Sequence, residues 1–254
     1  MMSIDTPRPF YDHLKEFRKR LLIFCSAWGG GIAIACFFSD KLLSFLLIPF
    51  EKITSLSSHS ISFFSLPEAF TTSLKLSIWG GFALSLPVLM FQLWRFIAPG
   101  LTPQEQKTLR PFLIMAPFLF ICGALFAYFL IIPLAWTFFL SFENNVLPVP
   151  LLLQARLSDY VSLTLSFLIS FGLSFEFPLV LIALGYLGFI SSRHLALNRK
   201  YAIILIFIVA ALLTPPDVLS QILLALPLML LYEGSIWALR RHERLTLKNA
   251  KEYV

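Results

Sequence analysis

Phe171-Gly172-Leu173-Ser174-Phe175-Glu176-Phe177-Pro178 is the stretch on which the reading of this chain turns. It sets one carboxylate, Glu176, inside an otherwise apolar run over residues 163–188. At that depth in a bilayer a charged side chain costs on the order of 2.5–3.5 kcal/mol on insertion scales, so such a residue faces a protein interior or a wet cavity and marks a functional position. Pro178 follows two residues later. It removes a backbone donor and frees a carbonyl one turn earlier, which predicts a kink beside the carboxyl group. Kink and carboxyl together point to a concave, wet surface within the membrane.

Composition says why the bilayer is the right solvent to assume. Of 254 residues, 58% are hydrophobic and only 13% charged, against about 25% charged in a soluble domain. Twenty-seven Phe exceed what a soluble core of this size hides. Six apolar stretches follow: residues 21–38, 70–93, 112–139, 160–189, 201–213 and 218–239. A span needs roughly 20 residues. The fourth is long, so it tilts or kinks. The fifth is short, and with the sixth across Thr214-Pro215-Pro216-Asp217 it reads as a shallow hairpin where the bilayer thins. The expected architecture is a single all-α membrane domain over residues 1–254. It has a cytoplasmic amphipathic segment (1–20), six transmembrane helices (21–239) and a basic cytoplasmic tail (240–254). Residues 39–69 read as a polar loop. Ala33-Ile34-Ala35 loosely resembles a signal-peptide cleavage site, and the first span is read as retained.

Lys and Arg set the orientation. Sixteen fall in the first 20 residues, the loops after spans 2 and 4, and the C-terminal tail; only Lys41, Lys52 and Arg156 fall on the other side. By the positive-inside rule both termini are cytoplasmic. The net charge of +6 then reflects topology and contact with anionic membrane lipids, and nucleic acid is not implied. Cys25, Cys36 and Cys122 lie in apolar stretches without metal or redox spacing, and are expected to pack as small hydrophobes.

Three segments outside the spans carry the remaining signals. In Phe10-Tyr11-Asp12-His13-Leu14-Lys15-Glu16-Phe17-Arg18-Lys19-Arg20-Leu21, the apolar residues Phe10, Leu14, Phe17 and Leu21 share one helix face. Charges occupy the other. That is an interfacial helix, with Glu16 set among basic residues for a cationic partner. In the loop after span 2, Pro99-Gly100 marks a turn, and Thr102, Pro103 and Glu105 form a capping box that starts the next helix. A carboxylate there can also face a cationic ligand. Pro67-Glu68 opens span 2, where Lys75 snorkels outward or pairs with Glu68; Glu233 pairs with Arg240 at headgroup level. There is no HExxH, GxSxG, nucleotide loop or His pair with metal-ligand spacing, so neither an enzyme nor a cofactor is expected. A secondary transporter or proton-coupled channel using Glu176 is the alternative from another class. An inverted repeat would favour it, and none is visible.

These strings together resemble the TatC family, the multispanning core subunit of the twin-arginine protein translocase. The resemblance runs from His13 to Glu233. It rests on His13-Leu14-Lys15-Glu16-Phe17-Arg18-Lys19-Arg20, Pro67-Glu68-Ala69-Phe70, Phe96-Ile97-Ala98-Pro99-Gly100-Leu101 with Glu105, the Glu176 stretch, and Leu213-Thr214-Pro215-Pro216-Asp217. Phe17 stands where the family usually has Leu. The resemblance implies six helices in a curved, glove-like arrangement in the bacterial inner membrane. It implies a receptor for folded cargo bearing twin-arginine signal peptides, driven by the proton-motive force without nucleotide hydrolysis. Glu16, Arg18, Phe96 and Glu105 would bind the signal peptide, and Glu176 would be the intramembrane polar site. Pro49, Glu68 and Asp217 would shape the extracytoplasmic cap and turns. The partners implied are the single-span subunits TatB and TatA, contacted by spans 5 and 6, and further copies of the chain in a homo-oligomer.

Overall fold

The computed structural model describes residues 10–54, 61–62, 64–142, 155–214 and 218–252. The helices are α1 (Phe10–Phe37), α2 (Ser39–Thr54), α3 (Leu66–Ile97), α4 (Pro103–Phe126), α5 (Ile132–Leu140), α6 (Leu157–Tyr186), α7 (Ser192–Leu197), α8 (Arg199–Leu213) and α9 (Val218–Glu252). A 3-10 turn at Ala98–Gly100 joins α3 towards α4, and a π-turn at Ala127–Ile131 joins α4 to α5 as one span. No strand occurs among the described residues, only an isolated bridge between Ser62 and Arg156. Among the described residues, five stretches are long and apolar enough to cross a membrane: Tyr11–Phe37, Leu66–Gly100, Pro103–Leu140, Leu157–Tyr186 and Val218–Leu245. At 15 residues α8 is the short sixth, about 22 Å against a hydrocarbon core of roughly 30 Å. The chain is therefore an all-α, multi-pass membrane protein.

The central helix is α6, which touches α3, α4 and α9; α1 packs on α3, and α8 on α9. Tyr160, Phe167 and Phe171 of α6 are fully buried. Outward faces remain apolar, as with Phe118, Phe129 and Leu230, which suits lipid as their solvent. Without a hydrophobic drive between helices in lipid, small residues bring backbones together. A Cβ on Gly31 would stand 2.7 Å from the Gly81 carbonyl oxygen, and one on Gly81 2.5 Å from the Ile32 nitrogen. The α1–α3 crossing is thus backbone on backbone. Trp28 seals it by donating its Nε1–H to the Ile78 carbonyl at 3.0 Å.

Several expectations change. Residues 39–54 form α2, where a polar loop was expected; its inner face buries Leu46, Pro49 and Phe50. Pro49 has no N–H for the Phe45 carbonyl one turn back. Tyr128 supplies the missing donor at 2.6 Å, and Tyr160 donates to the Leu46 carbonyl at 2.6 Å. Tyr128 sits on the π-turn before Pro133, which widens the helix where Pro133 cannot donate. Its ring also stacks on Phe45 at 4.5 Å. Cys25, Cys36 and Cys122 are exposed, on outward faces instead of between helices. The stretch beyond residue 239, read as a tail, continues α9 to Glu252.

Two ion pairs differ from the sequence expectation because tertiary neighbours win over sequence neighbours. Glu233 pairs with Arg199 at 2.6 Å, not with Arg240. Glu68 lies 3.9 Å from Arg156, while Lys75 donates to the Ser162 hydroxyl at 3.3 Å.

Candidate functional site

The sequence-predicted residues around the start of α1 come together with the end of α3. The helix face carrying His13 and Phe17 turns onto Phe96, the penultimate residue of α3. The His13 ring stacks on Phe96 at 4.4 Å, and Phe17 meets it edge-on at 5.6 Å. This aromatic contact fixes how α1 enters the bundle. Glu16, half-buried one turn along, is held by an ion pair with Arg20 four residues on. An incoming cation would therefore compete with Arg20 for this carboxylate. Arg18 points outward and is exposed.

Directly after Phe96 the chain makes its 3-10 turn and begins α4. Thr102 is the N-cap and Pro103 opens the helix. Glu105 Oε2 accepts from the Thr102 backbone N–H at 2.7 Å and from its hydroxyl at 2.8 Å, while the Glu105 N–H reaches back to Thr102 Oγ1 at 3.4 Å. The reciprocal capping box read from the sequence is present. Glu105 lies seven residues ahead of the apolar run that starts at Phe112. Hydrogen bonds from Thr102 hold its carboxyl below the ordinary carboxylate range. Only Oε2 is committed to the cap; no hydrogen bond to Oε1 occurs among the described residues. A carboxylate held in this way keeps one oxygen for a charged donor from outside, and guanidinium is the group that matches it best.

Gln106 was not singled out in the sequence. Its amide donates to the carbonyls of Ala98 at 2.8 Å and Leu101 at 3.1 Å, tying the 3-10 turn to the first turn of α4. The turn signal Pro99-Gly100 marked the bend but not the side chain that locks it.

Glu176 is not part of this cluster. It lies within α6, next to Phe175, whose ring packs near Phe126 of α4 at 5.7 Å. One carboxyl oxygen, Oε1, is buried with no hydrogen-bonding partner among the described residues. The Phe120 backbone of α4 faces the carboxyl group, while Oε1 itself calls for a polar ligand or water.

Glu68 and Pro49 lie at the opposite end of α3 from Phe96. Glu68 is buried, with 6% exposed, and accepts from the Phe64 N–H at 2.8 Å and the Ser158 N–H at 3.2 Å. It joins the start of α3 to the start of α6, beside the Ser62–Arg156 bridge. Asp217 lies outside the described residues. Just before it, Ser166 and Ser170 of α6 donate to the Leu213 carbonyl at 3.1 and 2.8 Å, satisfying an acceptor left over at the end of α8.

The family described as Sec-independent protein translocase protein (TatC) matches residues 12–227. The Sec-independent protein translocase protein TatC of Rickettsia prowazekii is 42% identical over 227 residues, covering 89% of this chain and 90% of that protein. Its Escherichia coli K12 counterpart is 34% identical over 236 residues, covering 93% and 90%. The crystal structure of the twin-arginine translocase receptor TatC in DDM superposes with a TM-score of 0.78 at 37% identity, covering 89% of this chain and 99% of that one. The relatives are similar along nearly their whole length, and the capping box, the α1–α3 aromatic contact and Glu176 all fall within the matched residues. The chain belongs to the TatC family, whose members are components of a Sec-independent protein translocase.

Proposed function

We propose that this chain is the receptor subunit of a twin-arginine translocase. It binds the signal peptides of folded cargo and nucleates the complex that carries them across the bacterial inner membrane. The observation that carries the reading is Glu105: an exposed helix start fixes its carboxylate through Oε2 and leaves Oε1 open. Phe96 and Glu16 stand at the same end of the bundle, tied there by the His13–Phe96 stack. A guanidinium presents donors in a rigid fork, which a lysine ammonium cannot reproduce, so carboxylates in this setting favour an arginine pair over a lysine pair. Arg18, exposed on the outward side of the same helix, adds its charge to the surface around the site.

In this reading both termini are cytoplasmic, as the distribution of Lys and Arg supports. The chain is not an enzyme: transport is driven by the proton-motive force, and Glu176 serves the inserted signal or the later transport step. TatA and TatB are the single-span partners, docking along α8 and α9, and several copies of the chain assemble together.

The test is binding of a twin-arginine signal peptide to the purified protein in nanodiscs, beside the same peptide with both arginines changed to lysine. Preference for the arginine pair, lost in Glu105→Gln, is the expected result. Equal binding of both peptides by the wild-type protein overturns the receptor reading.

A further inference from the structure

The groove between the first turns of α1 and the end of α3 has two halves of opposite character. One is a cavity of about 390 Å³ with four cations, Lys15, Lys19, Arg20 and Arg95, against two carboxylates, Asp12 and Glu16. The other is a crevice of about 70 Å³ lined by Phe17, Leu21, Phe24, Leu89, Leu93 and Phe96. Arg20 and Gln92 line both, so the two are continuous. We infer that this groove binds an anionic phospholipid, with its phosphate among Lys15, Lys19 and Arg95 and an acyl chain in the apolar crevice.

Charge and unmet hydrogen bonds both point to that ligand. Glu16 is engaged by Arg20, while no carboxylate lies within ion-pair distance of Lys15, Lys19 or Arg95 among the described residues. Lys15 and Arg95 lie instead over the rings of Tyr11 and Phe91, at 4.6 and 5.7 Å. Two polar atoms facing the groove are buried without a partner: Arg20 Nε, a donor, and Gln92 Oε1, an acceptor. Gln92 is only 8% exposed. Buried groups of this kind are normally satisfied by a ligand or water. A phosphate oxygen accepts from Arg20 Nε–H, and a headgroup hydroxyl donates to Gln92 Oε1. Phosphate and hydroxyl together describe a glycerol-type anionic headgroup. A soluble anion would use only the charged half, whereas a lipid fills both.

The groove also lies at the right depth. The charged residues 15–20 give way at Leu21 to the apolar run of span 1, so the cavity stands at headgroup level. Its being on the anionic cytoplasmic leaflet rests on the orientation proposed above.

The test is native mass spectrometry of the full chain in uncharged detergent, titrated with phosphatidylglycerol or phosphatidylcholine, and with phosphatidylglycerol in the presence of inorganic phosphate. Phosphatidylglycerol should stay bound in preference to phosphatidylcholine and resist displacement by phosphate. Lys15→Gln with Arg95→Gln should lower its retention about thirtyfold, in line with the contribution of two basic residues at a charged surface. Lys200→Gln with Arg241→Gln, which removes the same charge elsewhere, should leave it unchanged. Gln92→Leu should narrow the preference for phosphatidylglycerol over phosphatidic acid, which has no headgroup hydroxyl. Size-exclusion profiles matching wild type qualify each variant, and Arg95→Gln alone replaces a double variant that aggregates. Equal retention of the two uncompeted lipids, displacement by phosphate, or equal loss in both double variants overturns the inference. No signal peptide is present in these measurements, so failure of the receptor reading leaves their outcome intact.

Discussion

Arg199 holds Glu233 with two bonds at once, Nε to Oε1 at 2.6 Å and Nη2 to Oε2 at 2.8 Å. The fork joins the first residue of α8 to α9. Nearby, Tyr232 donates to the Leu195 carbonyl at 2.8 Å, and Glu243 accepts from the Ser192 N–H at 2.8 Å and its hydroxyl at 2.5 Å. Together these contacts fasten the segment between α6 and α8 to α9. Both partners of the fork are about half exposed, at 46% and 49%, so solvent screens the pair. Arg199→Lys is expected to lower stability by about 0–1 kcal/mol, read as a small fall in melting temperature in detergent. A larger loss would mean that the pair is more sheltered than its exposure indicates.

Glu68 should behave very differently. Glu68→Ala strips the acceptor from two backbone N–H groups at once, those of Phe64 and Ser158. Phe64 is exposed and Ser158 half-buried, so each lost bond costs about 0.5–1.5 kcal/mol, and a drop in melting temperature is expected. Glu68→Gln keeps one carbonyl acceptor and should recover part of that loss. Equal melting of wild type and Glu68→Ala would count against the link between α3 and α6.

The α1–α3 crossing predicts a contrast between glycines. In Gly81→Ala the new methyl meets the α1 backbone at Ile32, which cannot swing aside, and the expected cost is about 1–3 kcal/mol with loosened packing of α1. A Cβ on Gly234 meets nothing within 4 Å, so Gly234→Ala should be neutral or stabilising by up to about 1 kcal/mol. Thermal unfolding of the two variants side by side checks this.

Capping and ligand recognition by Glu105 are separable. Thr102→Ala removes the N-cap at a cost of about 1 kcal/mol but leaves the carboxylate, whereas Glu105→Gln can still cap and loses the charge. Twin-arginine peptide binding should therefore fall much more in Glu105→Gln than in Thr102→Ala. Because Thr102 holds the Glu105 carboxyl below its ordinary range, the group stays charged on mild acidification. Binding that depends on it is present at neutral pH and is lost only as pH falls through that lowered value. A titration of peptide affinity against pH reads this directly.

Glu176 carries a further expectation about function. Glu176→Ala should leave surface binding of the signal peptide largely intact and impair its deep insertion or the later transport step. Normal export of a folded twin-arginine substrate by that variant would reduce Glu176 to a structural role.

Much of this fold was legible from periodicity and composition alone. Long apolar runs announce membrane helices because a bilayer leaves the backbone no other way to satisfy its polar groups. The capping box at Thr102–Glu105 was legible because it is local: its partners lie three residues apart. The same holds for the short α8, whose apolar residues 201–213 were visible as a stretch too brief for an ordinary span.

What the sequence concealed was long-range pairing. Nothing local tells Glu233 to choose Arg199, 34 residues away, over nearby Arg240, or Glu68 to bridge to Ser158, 90 residues on. Pro49 stands in a stretch that read as a polar loop, yet α2 continues through it, because Tyr128 takes up the Phe45 carbonyl it leaves and Tyr160 donates to the Leu46 carbonyl beside it. The sequence by itself determined which segments enter the membrane, since that is set by transfer free energy residue by residue. Only the tertiary structure decided which helix faces meet, and therefore which buried polar groups find partners and which, like Arg20 Nε, Gln92 Oε1 and Glu176 Oε1, are left for a ligand to satisfy.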